Sequence, residues 1–202
     1  MGRMHATPPP TFQLEITLRS IAPAIWRRVL VPGDIRLAKL HDVIQVAMGW
    51  TNSHLHSFDI GGVKYGTPES ELGLADDRTI SLARAVRKAE RFVYEYDFGD
   101  GWKHDVVIEQ VYLRPTGHEL PALVDGARAC PPEDCGGPPG YETMIEALAD
   151  PNHAEHTRFR EWVDDNFDPE RFDRVRIAQD LRALVRTSRA RARAARPRQM
   201  PS

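Results

Sequence analysis

The stretch RFVYEYDFGDGWKHDVVIEQV, residues 91–111, decides the fold class. In its first half Phe92, Tyr94, Tyr96 and Phe98 fall on every second position. In its second half Trp102, His104, Val106 and Ile108 do the same. Side chains two apart on a strand share a face, so each half reads as a strand with one aromatic or apolar face. Asp100-Gly101 between them is a hairpin-turn dipeptide, because glycine takes up positive φ without steric cost. The spacing therefore predicts a β-hairpin, and with it an antiparallel sheet.

Working outward, FQLEITL (12–18) alternates Phe12, Leu14, Ile16 and Leu18 against polar residues and reads as a half-buried strand. AIWRRVLVP (24–32) is a second strand, closed by Pro32-Gly33. The connection SIAP has room only for a turn, so these two strands are antiparallel neighbours. LAKLHDVIQVAMGW (37–50) is helical: Leu37, Leu40, Ile44 and Ala47 or Met48 share a face, and Gly49 stands where a C-terminal cap belongs. HLHSFDI (54–60) resumes a strand before the turn Gly61-Gly62, and residues 66–78 read as a loop. SLARAVRKA (81–89) is a short helix with Ser81 as its N-cap. Beyond the hairpin, ETMIEALAD (142–150) and HTRFREWVDDNF (156–167) are amphipathic helices, and a last helix starts near Asp173. The order of strands and helices predicts an α+β fold, roll-like, with an antiparallel or mixed sheet and helices packed mainly on one side. It lacks the regular alternation of a doubly wound fold.

The chain has 202 residues, 41% hydrophobic and 28% charged, the balance of a soluble globular protein. No apolar run is long enough for a membrane span, and the start MGRMHATPPPTF has no apolar signal region. With two cysteines and no signal, a reducing cytoplasm is expected. Residues 1–11 read as a flexible lead, 12–180 as one domain, and 181–202 as a basic tail. That tail holds seven arginines and no acid, so against a total of −2 it carries +7 and the rest −9. Its arginines, Arg182, Arg186, Arg189, Arg191, Arg193, Arg196 and Arg198, are candidates for contact with nucleic acid phosphates or an acidic protein surface. A solvated end is the plainer reading.

Three clusters could carry chemistry. Cys130 and Cys135 bracket two prolines and two acids in ACPPEDCGGPPGY (129–141). A structural zinc site needs four ligands, and no second cysteine pair exists. A proline- and glycine-determined turn is therefore favoured, with Gly136, Gly137 and Gly140 permitting the backbone and Tyr141 packing beneath. Metal binding is the alternative, and a redox pair would more often be spaced C-x-x-C. The hairpin tip DFGDGWKHD sets Asp97, Asp100 and His104 close together, either for turn geometry or as an acid/base or divalent-cation set. His54 and His56, two apart on a strand, would face one side and could share a metal, zinc being the expectation. His41 reads as a satisfied helix histidine. If the clusters meet, Trp102, His104, Glu133, Asp134 and Tyr141 would line the default pocket together with Asp97 and Asp100. No phosphate-binding loop and no G-x-S-x-G elbow is present.

Four phrases in order resemble one family. They are IAPAIWRRVLVP (21–32), LHDVIQVAMGW with HLHSF (40–58), YEYDFGDGWKH (94–104) and CPPEDCGGPPGY (130–141). Together they are similar to the plasmid pRiA4b ORF-3-like proteins over about Phe12 to Phe172. The resemblance implies a compact α+β roll and association with plasmids and insertion elements, and brings no established activity. Some members carry a resolvase label, but Ser20 beside Arg19 is the nearest counterpart of a recombinase serine and no further catalytic pattern accompanies it. The expectation is a non-catalytic binding or accessory module contacting nucleic acid or a partner protein. The alternative is a small metal-dependent hydrolase or metal-binding protein.

Overall fold

The structure, a computed structural model, describes residues 8–68, 72–87, 89–113, 116–164 and 167–194, with 188–194 as backbone only. Eight strands form one sheet: β1 (Thr11–Leu18), β2 (Trp26–Pro32), β3 (His56–Ile60), β4 (Val63–Gly66), β5 (Ala75–Asp76), β6 (Arg91–Tyr96), β7 (Trp102–Tyr112) and β8 (Ala122–Ala127). Their spatial order is β5-β4-β3-β6-β7-β1-β2-β8. Every pairing is antiparallel except β4 with β5. The helices are α1 (Leu37–Met48), α2 (Leu82–Ala85), α3 (Gly137–Ala149), α4 (His156–Trp162) and α5 (Arg174–Ala194). This is an α+β fold on a mixed sheet.

The alternation read from residues 91–111 places the hairpin as expected, with Tyr96 opposite Trp102. Phe92, Tyr94, Tyr96, Trp102, His104 and Val106 are buried. Phe98 departs from the pattern. The strand ends at Tyr96, Asp97 turns into the left-handed region, and Phe98 is 38% exposed in the tip. On the other arm Leu14, Ile16 and Leu18 of β1 join the same core as Leu37, Leu40, Ile44 and Ala47 of α1. Residues between them on the strands point the other way. There Arg28 reaches Glu15 at 2.6 Å and Glu109 at 2.5 Å, which holds the Glu109 carboxyl below its usual range. One face of the sheet is thus apolar beneath the helices, the other a polar ladder.

The starts of α1 and α2 are satisfied by tertiary contacts rather than by side-chain caps. The Leu37 and Ala38 amides donate to the carbonyls of Ile80 and Asp77, and those of Leu82 and Ala83 to Ile35 and Gly33. Ser81 occupies the N-cap position of α2, but its hydroxyl makes no capping bond. Gly49 closes α1 in the left-handed conformation.

Three sequence expectations change. Residues 66–78 include the short strand β5, and residues 122–127 form β8, an edge strand the sequence does not announce. The line drawn at 180/181 falls inside α5: Leu181 is fully buried, and Ile177 and Leu184 pack against the core. Arg189, Arg191 and Arg193 are described as helix backbone only, and Arg196, Arg198 and residues 1–7 lie outside the described residues.

Candidate metal centre at a three-segment junction

Tyr96, the last residue of β6, organises this site. Its hydroxyl accepts from the Ser53 amide at 2.9 Å and from the His54 amide at 3.3 Å. The same hydroxyl donates to Glu133, which also accepts from the Thr51 hydroxyl and, at 3.1 Å, from the Thr51 amide. Burial pushes the Glu133 carboxyl up, but these hydrogen bonds outweigh it and hold the group below its usual range. The Trp50 indole donates to the Pro131 carbonyl at 2.9 Å, and the Gly136 amide to Asp100 at 3.2 Å. The segment after α1, the hairpin tip and the cysteine loop are therefore one packed junction.

Gly137 permits the loop to approach the hairpin tip, and Gly140 permits the loop to fold tightly on itself. A Cβ on Gly137 would stand 2.3 Å from the Asp100 carbonyl oxygen, and one on Gly140 would stand 1.9 Å from that of Cys135. Both distances are far inside contact.

At the junction His54 Nε2 lies 3.2 Å from Asp134 Oδ1 and 3.6 Å from Asp97 Oδ2. One ligand atom from each residue falls within 4.8 Å of the others. The Nε2 atom is buried and makes no aligned hydrogen bond among the described residues. Asp97 divides its carboxylate: Oδ1 accepts from the Gly99 amide at 3.0 Å, while Oδ2 faces His54. Asp134 is the solvent-side member, its side chain 70% exposed. Asp97 and Asp134 have φ of 54° and 61°, and Asn52 in the adjoining segment 61°. Such values are uncommon outside glycine, though least costly for Asp and Asn.

The other predicted site residues lie elsewhere. His54 precedes β3, so the two-residue period does not carry it to the side of His56, which turns inward and meets Asp77 at 2.8 Å. His56 stacks on His41 with ring centroids 3.6 Å apart. His104 is fully buried, 3.4 Å from the Tyr94 carbonyl oxygen, and burial lowers its pKa to about 4. Trp102 and Tyr141 are core residues whose Nε1 and hydroxyl have no hydrogen-bond partner among the described residues. Cys130 and Cys135 are free, their thiols pushed up to about 12 by burial, and neither belongs to the His54 group. Sequence reasoning misses Thr51, Ser53 and Tyr96 as site residues; the polar run Thr51-Asn52-Ser53 after the α1 cap is the one trace of them.

The family model for the plasmid pRiA4b ORF-3-like proteins matches residues 10–176. The chain belongs to this family. The uncharacterized protein y4hQ of Sinorhizobium fredii (strain NBRC 101917 / NGR234) is 48% identical over 154 residues, which is 74% of this chain and 79% of that protein. A crystal structure of a protein of unknown function, MM3350 from Methanosarcina mazei Go1, superposes with a TM-score of 0.77 at 35% identity, covering 87% of this chain and 99% of that one. The same fold thus occurs in a crystal structure, and both similar proteins are named without an activity.

Proposed function

We propose that this family member is a divalent-cation-binding accessory protein of a plasmid or mobile element, with His54, Asp97 and Asp134 as the protein ligands. The observation that carries this is the convergence of one imidazole nitrogen and two carboxylates, from three separate segments, within 4.8 Å. With the lone pair on Nε2, all three groups present lone pairs to one point, an arrangement that a cation satisfies. One nitrogen and two oxygens suit zinc or manganese. Three protein ligands leave further coordination positions for water, which is where the hydrolase alternative would draw its nucleophile.

Titration of untagged, metal-free protein with Zn²⁺ and Mn²⁺ in a calorimeter tests the reading. One site per chain is expected, weakened at least tenfold in Asp97→Asn and in His54→Gln. The double variant Cys130→Ser, Cys135→Ser should bind as the parent does. No binding of either ion, or binding lost only with the thiols, would overturn the assignment.

A further inference from the structure

We propose that the cleft between α5, β8 and residues 116–121 binds an acidic peptide segment of a partner protein, anchored by apolar side chains. Two concavities, of about 710 and 360 Å³, both include His118 and Leu123 and so adjoin each other. Arg174, Arg182 and Arg186 line them from α5. Their spacing in multiples of four puts them on one ridge of the helix. From the first to the last the ridge spans about 18 Å, at 1.5 Å per residue. An extended peptide rises about 3.3 Å per residue, so the ridge matches about five or six residues.

The aliphatic part is the Arg174 end of the cleft, where Leu30, Leu113 and Leu123 lie, and Leu113 is 78% exposed. Acidic groups are present too: Glu119 lies in the lining, and Asp125 is 3.7 Å from Arg174, which also donates to the Val124 carbonyl. Arg174 is therefore committed to β8. Arg182 and Arg186 are the exposed cations left to meet a ligand. An aliphatic stretch at the Arg174 end and a cationic stretch at Arg182 and Arg186 complement an extended segment that carries both apolar and acidic residues. Single-stranded nucleic acid would want a run of aromatic faces for its bases, whereas the lining offers the rings of Tyr112 and His118 among leucines.

Fluorescence anisotropy with a labelled octapeptide of alternating leucine and glutamate tests this, against a leucine-lysine octapeptide and a twelve-nucleotide single-stranded DNA. The acidic peptide should bind at least tenfold tighter than the basic one and weaken with added salt. Arg182→Glu with Arg186→Glu should reduce that affinity at least tenfold. Leu113→Asp, which leaves α5 untouched, should do so as well, with an unchanged circular-dichroism melt. Absence of acidic-peptide binding, equal affinity for the two peptides, or tighter binding of the DNA that the arginine variant abolishes would each overturn the proposal. These residues are separate from the cation ligands, so either assignment can fail alone.

Discussion

A neutral His41 pairs fully with the donors and acceptors around it. Asn52 Oδ1 can only accept, so His41 Nε2 donates to it at 2.6 Å, and Nδ1 of the neutral ring accepts from the Tyr94 hydroxyl at 2.7 Å. That hydroxyl in turn accepts from Gln45 at 3.0 Å, and Gln45 accepts from the Asn52 amide at 2.9 Å. With His41 neutral, both ring nitrogens are paired within this cycle. Burial first, and the neighbouring His56 second, lower its pKa to about 4, and burial is the main cause for His104. A base whose pKa falls on folding binds more protons unfolded than folded. Stability is then complete above about pH 6.5 and is lost as pH falls toward 4. Each histidine contributes on the order of 3 kcal/mol across that window. Urea melts at pH 7.5, 6.0 and 5.0 should show a steady loss, and His104→Phe should show a smaller one. Equal stability at all three values would refute the assignment.

At the scale of elements, α5 is part of the body despite its charge. Asp173 accepts from the Arg176 amide at 3.1 Å and so begins the helix, and Leu181 seats it in the core. Losing a buried leucine costs about 2–5 kcal/mol. A chain ending at residue 180 should therefore melt well below the full chain, and Leu181→Ala should reproduce most of that drop. A chain ending at 187 should melt close to the full one. If truncation at 180 changed nothing, the helix would not be seated as described. The run of arginines hides this, since a charge count over residues 181–202 sees a tail where the periodicity of Ile177, Leu181 and Leu184 continues a helix face. β8 is hidden differently. Its residues are all half-buried, and Asp125-Gly126 reads as a turn; Gly126 instead makes room for Phe172, whose ring would lie 2.7 Å from a Cβ there.

For the whole molecule, the junction joins positions 54, 97 and 134, which lie far apart in the chain. A cation held there binds the folded state and has no preformed site in the unfolded one. At a hundred times its dissociation constant it should add about 2.7 kcal/mol to stability. Zinc or manganese at that concentration should thus raise the melting temperature of the parent and raise that of Asp97→Asn by about half as much or less. An equal rise in both would place the ion elsewhere.

Local pattern is sufficient for β1, β2, α1 and the hairpin, because a period of two or near four reports which side of an element meets the core. It also picks out His54, Asp97 and Asp134, each in a different cluster. Their meeting is beyond it: that depends on Gly137 letting the cysteine loop close on the hairpin tip, on Gly140 letting that loop fold tightly, and on Tyr96 and Glu133 tying both to the segment after α1. His56 and His104, near those residues in sequence, go to the interior instead, since both stand on inward-facing strand positions while His54 precedes β3 and Asp97 follows β6. Which side chains converge from distant parts of the chain is a property of packing, and only the tertiary structure decides it.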